Sequence, residues 1–313
     1  MSDEAVSVGI DVGGTKLVAA TVSEAGGIIE RARVESPRGD ADEMVDVLVQ
    51  LVADVDGNGL PVGVGIAGIV SPDGTLRYGP NLDLEQVPLA SLLEDRLGTS
   101  IVVKNDATVA LYGEYAAGAG RGVRDLLMLT LGTGVGGAFM VDGIVVDGAH
   151  GFAGELGHII IVDDGRPCPC GNLGCLEAYA SGTAVERRVV QRLGDDAVET
   201  SLRELSRDEL VGKDVTTAAA HGDAFAQEVL VEAGRWLGVG IASLVNVLDP
   251  ARIVIGGGFA TGSADWVLPA AEEAMQQRLL GAAHRPTLDL ILAELGDDAG
   301  MIGAARLAAD GGG

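Results

Sequence analysis

Short apolar segments separated by glycine turns open the chain. Val6–Asp11, Leu17–Ser23 and Ile28–Glu35 carry mostly strand-forming residues, and the turn Gly13-Gly14-Thr15 separates the first two. This pattern predicts three strands joined as hairpins. The period then changes in Asp40–Val55, where apolar residues recur every three to four positions and predict a helix.

The rest of the chain alternates strand-like and helix-like segments. The predicted strands are Val62–Ile69, Ile101–Lys104, Asp125–Leu131, Ala138–Val141, Arg252–Ile255 and Leu288–Leu292. The predicted helices are Leu89–Leu97, Ala107–Ala117, Thr183–Leu193, Val215–His221, Ala224–Leu248, Ser263–Leu280 and Ala299–Ala309. Gly118–Gly122 separates two strand–helix sets and is the best candidate for a domain boundary.

Composition and charge narrow the class of protein. The 313 residues fit two modest domains or one large one. A net charge of −25 disfavours binding to nucleic acid or anionic membranes. The excess of acidic residues with only three lysines resembles proteins of salt-loving organisms. The acidic start lacks the basic region of a signal peptide, and no apolar run is long enough to span a membrane, so we expect a cytoplasmic protein.

The three cysteines of the chain lie in one short loop. Cys168, Cys170 and Cys175 follow His158, and an odd number of cysteines in a cytoplasmic protein favours a metal site over disulfides. Three thiolates and one imidazole form a closed tetrahedral set for Zn²⁺, which predicts a structural metal. The alternative is a group of free, buried thiols.

Two glycine-rich turns are candidates for phosphate binding. In Asp11-Val12-Gly13-Gly14-Thr15-Lys16, the glycines expose backbone N–H groups, Thr15 adds a hydroxyl, and Asp11 is placed to hold a divalent metal through water. An ordinary hairpin turn is the alternative. Gly132–Gly137 matches the dinucleotide fingerprint by letter, but a strand follows it instead of the required helix, which favours a second phosphate-binding hairpin.

Three further motifs have both a chemical and a purely structural interpretation. Asp106, in Lys104-Asn105-Asp106, is either a catalytic base or a helix N-cap. Glu155 and Glu177 flank the metal set and suit the vicinal hydroxyls of a sugar, or are solvated surface residues. Gly256-Gly257-Gly258 follows a strand and leaves room for a flat ring or ribose, or is a strand-to-helix turn.

Taken in order, these motifs resemble the ROK family of repressors, open reading frames and kinases over nearly the whole chain. The resemblance implies a two-domain α/β fold of the actin/hexokinase (ribonuclease H-like) type with the active site in the cleft between the domains. The expected domains are residues 1–117, to which a C-terminal helix at 300–313 returns, and a larger α/β domain at 118–299 that carries the zinc loop. The expected activity is that of a cytoplasmic ATP-dependent hexose kinase, most simply a glucokinase of carbohydrate metabolism and glycolysis.

The resemblance also implies roles for individual residues. Asp106 is the expected general base that accepts the proton of the sugar 6-hydroxyl. The expected sugar contacts are Asn81, Asn105, Asp106, Glu155, His158 and Glu177. The expected contacts to ATP and Mg²⁺ are Asp11, Gly13, Gly14, Thr15, Lys16, Thr133, Gly134, Gly256, Gly257 and Gly258. The expected Zn²⁺ ligands are His158, Cys168, Cys170 and Cys175, with the second ring nitrogen of His158 directed to the sugar.

Several alternatives stay open at this point. The sugar is glucose by preference, with N-acetylmannosamine, fructose and allose as alternatives, and the phosphoryl donor and allosteric regulation are not determined by the sequence. A non-catalytic sugar sensor would not need a base at Asp106. A nucleotide-dependent dehydrogenase would need a helix after Gly137. A homo-oligomer, either a dimer or a tetramer, is expected.

Overall fold

The computed structural model describes residues 4–207 and 209–312 and divides them into two compact units. The first unit comprises residues 4–128, 138–154 and 293–312, and the second comprises residues 129–137 and 155–292 apart from residue 208. The predicted domain ranges start at residue 1 and end at residue 313, so residues 1–3 and Gly313 of those ranges lie outside the described residues.

Strands and helices alternate along most of the chain, which confirms the α/β class. The strands are β1 (Ala5–Val12), β2 (Lys16–Ser23), β3 (Ile28–Glu35), β4 (Val62–Ile66), β5 (Ile69–Val70), β6 (Leu76–Gly79), β7 (Leu84–Val87), β8 (Ile101–Asn105), β9 (Leu126–Leu131), β10 (Val135–Val141), β11 (Ile144–Val145), β12 (Arg252–Gly256) and β13 (Leu290–Leu292). The helices are α1 (Ala41–Asp54), α2 (Leu89–Leu97), α3 (Asp106–Ala117), α4 (Glu177–Ala180), α5 (Gly182–Arg192), α6 (Gly212–Ala220), α7 (Ala224–Leu248), α8 (Gly258–Gln276) and α9 (Ala299–Ala309).

The first unit is built on a five-stranded sheet with the strand order β3-β2-β1-β4-β8. β1, β2 and β3 pair antiparallel, as the hairpin pattern predicts, whereas β1, β4 and β8 pair in parallel. Val12 of β1 pairs with Ile66 of β4, which in turn pairs with Asn105 of β8. The carboxyl ends of the three parallel strands are therefore aligned at one edge, where open α/β sheets bind their ligands.

Helix α9 packs against β1 and β4 at very short range. A Cβ atom added to Gly9 would lie 1.9 Å from the carbonyl oxygen of Met301, and one added to Gly63 would lie 1.8 Å from that of Ala304. Side chains at these two strand positions would push the helix away from the sheet. Alternate residues of the same strands, Val8, Ile10, Val62 and Val64, belong to the main apolar core of the unit, which is lined by α1 and α2.

The second five-stranded sheet has the order β11-β10-β9-β12-β13. The chain passes from one unit to the other within β9 and within β10. In the second unit, α7 and α8 pack closely because α7 carries glycines at the contact: a Cβ added to Gly238 would lie 2.2 Å from the carbonyl oxygen of Ala271. Of the helices in the described ranges, none combines the length and apolarity needed to cross a bilayer.

Several predicted elements have different bounds in the structure, among them one strand and one helix whose differences have a physical reason. The strand predicted at Val62–Ile69 ends at Ile66, and the chain continues into a small antiparallel sheet, β5-β6-β7, that was not predicted. Its strands have two to four residues, too few for an alternating pattern to be recognised. The helix predicted at Ser263–Leu280 spans Gly258–Gln276 instead, because α8 begins within a glycine-rich segment of low helix propensity.

Candidate active site and metal centre

The first glycine-rich turn joins β1 to β2 in the first unit. The N–H of Gly13 donates to the carbonyl oxygen of Lys16 at 3.0 Å, which closes the turn. Gly14 lies against Asn81, since a Cβ added to Gly14 would lie 3.0 Å from that of Asn81. The turn predicted to bind phosphate and one residue predicted to bind sugar are therefore neighbours.

Arg38 lies beside the same turn, and sequence analysis did not select it. Its guanidinium donates from Nη2 and Nε to the carbonyl oxygen of Gly14, at 2.6 and 3.1 Å. This bond holds the carbonyl and places a positive charge at a turn predicted to receive phosphate. An isolated arginine in the loop after β3 has no local pattern that would reveal this contact.

Three carboxylates influence one another at the carboxyl edge of the first sheet. Burial, together with the negative charges of Asp106 and Asp297, raises the pKa of Asp11 to about 6 against the opposing effect of Lys16. The Asp11 carboxyl also lies at the start of α9, because a Cβ added to Gly300 would come within 3.4 Å of it. A hard divalent cation prefers carboxylate oxygens as ligands, and its charge would offset the repulsion among these three groups.

Asp106 is the first residue of α3, and Asn105 is the residue that caps this helix. Asn105 Oδ1 accepts hydrogen bonds from the N–H groups of Ala107 and Thr108, at 2.9 and 3.3 Å, while its Nδ2 donates to the carbonyl of Gly68. The alternative that Asp106 is the N-cap is therefore wrong. Asp106 Oδ1 accepts from the N–H of Ala107 at 2.9 Å.

The Asp106 carboxylate is open to solvent at the end of the sheet. Protein atoms around it reduce its hydration, and this desolvation raises its pKa above the ordinary value despite the hydrogen bonds from the helix terminus. A carboxylate with a raised pKa accepts a proton more readily than an ordinary aspartate does.

The second glycine-rich turn joins β9 to β10 in the second unit. β10 begins at Val135, so a strand follows the turn and the dinucleotide-fold alternative is wrong. Glu177 holds this turn, because its Oε2 accepts a hydrogen bond from the N–H of Val135 at 2.9 Å. A Cβ added to Gly134 would lie 2.4 Å from the same oxygen, so a side chain there would displace the Glu177 carboxylate from the turn.

Gly256-Gly257-Gly258 forms the junction between β12 and α8. Gly257 has a φ of 94°, a value that favours glycine, and a Cβ on it would lie 2.3 Å from the carbonyl oxygen of Leu131. The first turn of α8 thus begins next to the end of β9, just before the second glycine-rich turn. The free N–H groups at the start of this helix are hydrogen-bond donors of the kind that suits an anionic ligand.

The four predicted zinc ligands come together in the second unit. One nitrogen of His158 and the sulfur atoms of Cys168, Cys170 and Cys175 all lie within 4.8 Å of one another. The Cys170 and Cys175 sulfurs are 3.7 Å apart, and so are Cys168 Sγ and His158 Nδ1. Tetrahedral Zn²⁺ with Zn–S bonds of about 2.3 Å places its sulfur ligands about 3.8 Å apart, so the set fits this metal.

The loop geometry explains how close residues reach one ion. Gly171 and Gly174 have φ values of 93° and 77°, which permit the tight turns between the ligands. Burial raises the pKa of the Cys168 thiol, so a thiolate there requires the compensating charge of a cation.

The metal set is adjacent to the predicted sugar contacts of the second unit. His158 Nδ1 faces Cys168, while Nε2 lies 3.8 Å from Glu155 Oε2. Glu177 Oε1 lies 3.6 Å from Cys168 Sγ. One imidazole nitrogen is therefore available to the metal and the other faces a carboxylate.

The predicted site residues fall into two sets. Asp11, Gly13, Gly14, Thr15, Lys16, Asn81, Asn105 and Asp106 lie in the first unit. Thr133, Gly134, Glu155, His158, Glu177, Gly256, Gly257, Gly258 and the three cysteines lie in the second. Like Arg38, Asp297, which influences the pKa of Asp11, was not predicted from the sequence. An aspartate before a helix is too common to indicate such a role.

Comparison with known proteins shows the family to which this chain belongs. The sequence profile of the ROK family matches residues 7–311. The chain is 38% identical over 310 residues to a glucokinase of Streptomyces coelicolor, covering 97% of both chains. It is 32% identical over 308 residues to an N-acetylmannosamine kinase of Escherichia coli, covering 96% of this chain and 98% of that protein.

A solved structure agrees with the fold. The ROK family glucokinase of Streptomyces griseus, crystallised with glucose and AMPPNP, is 37% identical in sequence. It superposes with a TM-score of 0.82 over 97% of this chain and 99% of that one.

Proposed function

Since this chain belongs to the ROK family, we propose that it is an ATP-dependent glucokinase that phosphorylates the 6-hydroxyl of glucose. Full-length similarity to glucokinases supports this activity. The observation that carries the proposal is the Asp106 carboxylate, which is open to solvent, has a raised pKa and lies close enough to Asp11 to affect its ionisation. We place this activity in the cytoplasm and expect a homo-oligomer.

In the proposed mechanism, Asp106 accepts the proton of the sugar 6-hydroxyl as the γ-phosphoryl group moves to the sugar oxygen. Helix α3 holds its Oδ1 through the N–H of Ala107, which leaves Oδ2 to face the hydroxyl. Asn81, Asn105, Glu155, His158 and Glu177 orient the sugar. Catalysis then consists mainly of positioning and electrostatic stabilisation.

The glycine-rich turns bind the nucleotide. Gly13, Gly14, Thr15, Thr133 and Gly134 donate to phosphate oxygens, Lys16 and Arg38 add positive charge, and Gly256–Gly258 leave space for adenosine. Asp11 would hold Mg²⁺, with Asp297 nearby, and the ion would supply positive charge to the transferred phosphoryl group. His158, Cys168, Cys170 and Cys175 would hold a structural Zn²⁺, which would fix the loop that leads to Glu177.

A kinase for N-acetylmannosamine is the second candidate, because such an enzyme is also similar over nearly the full length of the chain. A coupled assay of ADP release with glucose, N-acetylmannosamine, fructose and allose distinguishes the substrates. An assay that detects the sugar phosphate product instead of ADP, run with ATP and alternative phosphoryl donors, determines the donor.

Replacing Asp106 by asparagine tests the mechanism. The amide cannot accept the hydroxyl proton, so turnover should fall by about 100-fold or more, the scale expected for loss of a general base. Because Asn105 caps α3, the substitution leaves the helix cap intact. Zinc content and melting temperature, measured on the same preparation, should match the wild type.

Near-normal turnover of the Asp106→Asn protein would contradict the mechanism. If the wild type itself binds glucose but forms no sugar phosphate with any donor, the chain is a sugar sensor instead of a kinase.

A further inference from the structure

Three arginines surround one small cavity in the second unit, and none of the residues that line it is assigned above to sugar or nucleotide. The cavity has a volume of about 280 Å³ and is lined by Arg166, Arg187, Arg188 and Gln191, among others, with no acidic residue in its lining. The chain as a whole has 46 acidic and 21 basic residues. The only charged residues that line this cavity are arginines. The cavity is therefore locally positive in a protein whose net charge is negative.

Two of these arginines are fixed in place by one carboxylate. Arg166 Nη2 and Arg188 Nε donate to the two oxygens of Glu232, at 2.7 and 2.9 Å. Burial raises the pKa of Glu232, but the two arginines outweigh it, so the net pKa is lowered and the group stays ionised. Arg166 also stacks on the Tyr179 ring, at 4.5 Å from its centre.

The third arginine has no such counterion. Within residues 4–207 and 209–312, no ion pair or hydrogen bond is formed by the Arg187 side chain, which is exposed on α5. Glu232 neutralises only one of the two guanidinium groups that it holds. The three arginines therefore exceed the one carboxylate by two positive charges. Two of the three arginine side chains are already held in fixed positions.

We propose that this cavity binds the phosphoryl group of an inorganic phosphate or a sugar phosphate. Guanidinium groups recognise phosphate through paired N–H donors, and fixed arginines lose little conformational entropy on binding. Arg187, which forms no ion pair or hydrogen bond with the residues that the structure describes, supplies the charge that is left unsatisfied without a ligand. The cavity has room for a phosphoryl group with a small organic substituent.

The cavity is connected to the metal centre through the backbone. Arg166 and Pro167 directly precede Cys168, and the carbonyl of Arg166 accepts a hydrogen bond from the N–H of Gly174 at 2.8 Å. The N–H of Arg166 donates to the Tyr179 hydroxyl, also at 2.8 Å. An anion that holds Arg166 thus also holds the loop of zinc ligands, and should slow the release of the metal.

The test is calorimetric titration of the zinc-loaded protein with inorganic phosphate and, separately, glucose 6-phosphate at low ionic strength. Arg187→Gln should weaken binding at this site at least 10-fold without affecting the fold, because the side chain is exposed and forms no ion pair with any described residue. Arg33→Gln is the matched control, since it removes the same charge from exposed β3 and should leave binding unchanged. Phosphate that enters the proposed nucleotide site binds equally to all three proteins and is subtracted.

A second measurement follows zinc transfer to a chromogenic chelator. Phosphate should slow the transfer in the wild type and in Arg33→Gln but not in Arg187→Gln. If Arg187→Gln loses affinity for both inorganic phosphate and glucose 6-phosphate, the phosphoryl group is the recognised element. If it loses affinity for glucose 6-phosphate alone, the ligand is a sugar phosphate. Equal affinities in wild type and Arg187→Gln, or an equal effect of potassium chloride on zinc release, would overturn the proposal. Because neither measurement needs turnover, the result is independent of the proposed kinase activity.

Discussion

Replacing Asp11 by asparagine should make the metal-free protein more stable at pH 8. The ordinary pKa of an aspartate is 3.8, whereas that of Asp11 in the folded protein is about 6, chiefly because of burial and the charge of Asp106. The folded state therefore binds a proton more tightly than the unfolded state does. Above pH 6 both states are ionised, and the whole cost of the buried charge opposes folding.

The size of this effect follows from the two pKa values. Each pKa unit corresponds to about 1.4 kcal/mol, so the rise from 3.8 to about 6 corresponds to about 3 kcal/mol. The cost diminishes as the pH falls from 6 towards 4 and vanishes below 4, where both states are protonated. Asparagine carries no charge at any pH. Asp11→Asn should thus raise the free energy of unfolding by up to about 3 kcal/mol at pH 8 and by nearly nothing at pH 3.8.

Urea unfolding followed by circular dichroism at several pH values, without divalent cations, measures this difference. Asp95→Asn, at an exposed position of α2, controls for the loss of one negative charge from an acidic protein. The reasoning would be refuted if Asp11→Asn did not raise the free energy of unfolding at pH 8. It would also be refuted if the increase were equally large at pH 4 and pH 8. Kinase activity should be lost in the same variant, because Asp11 is the proposed Mg²⁺ residue.

Three further predictions concern the metal, the nucleotide and salt. Cys175→Ser should lose zinc and melt at a lower temperature, because structural zinc contributes directly to folding; elemental analysis and calorimetry measure both, and a stable, zinc-free, active wild type would contradict it. Gly14→Val should weaken ATP binding at least 10-fold, since its Cβ would meet Asn81 and distort the turn that is proposed to bind phosphate. Unchanged nucleotide affinity in equilibrium binding would show that the turn has no such role. The melting temperature should rise with KCl up to molar concentrations, because screening reduces repulsion among 46 acidic residues, and a flat or falling curve would exclude this account.

Local patterns predicted those parts of the fold in which local preference and tertiary structure agree. The three hairpin strands and the helix Leu89–Leu97 follow from apolar periodicity and glycine turns. The zinc ligands were also predictable, because the three cysteines lie within one short glycine-containing loop, so closeness in sequence already implies closeness in space. Strands β5–β7 were missed because each is too short to show a period, and the start of α8 was misplaced because close packing overrides the low helix propensity of glycine.

The parts of the candidate site that escaped prediction depend on tertiary contacts. Which of Asn105 and Asp106 caps α3 is decided by where the strand before it ends, not by residue type, since both are good caps. Arg38 reaches Gly14 only because the loop after β3 returns to the turn between β1 and β2. Asp297 acts on Asp11 only because the segment before α9 lies beside β1, and a single sequence contains no signal for that proximity.

The packing of α9 on β1 and β4 has a consequence for synthesis of the protein. α9 begins more than two hundred residues after β4 ends, so the ribosome completes the first sheet long before the helix that covers one of its faces exists. During that interval the second unit can fold, while the nascent first unit exposes an apolar surface for which chaperones and other chains compete. Synonymous slowing of translation before residue 293 should therefore lower the yield of native protein, and co-expression of a holding chaperone should restore it.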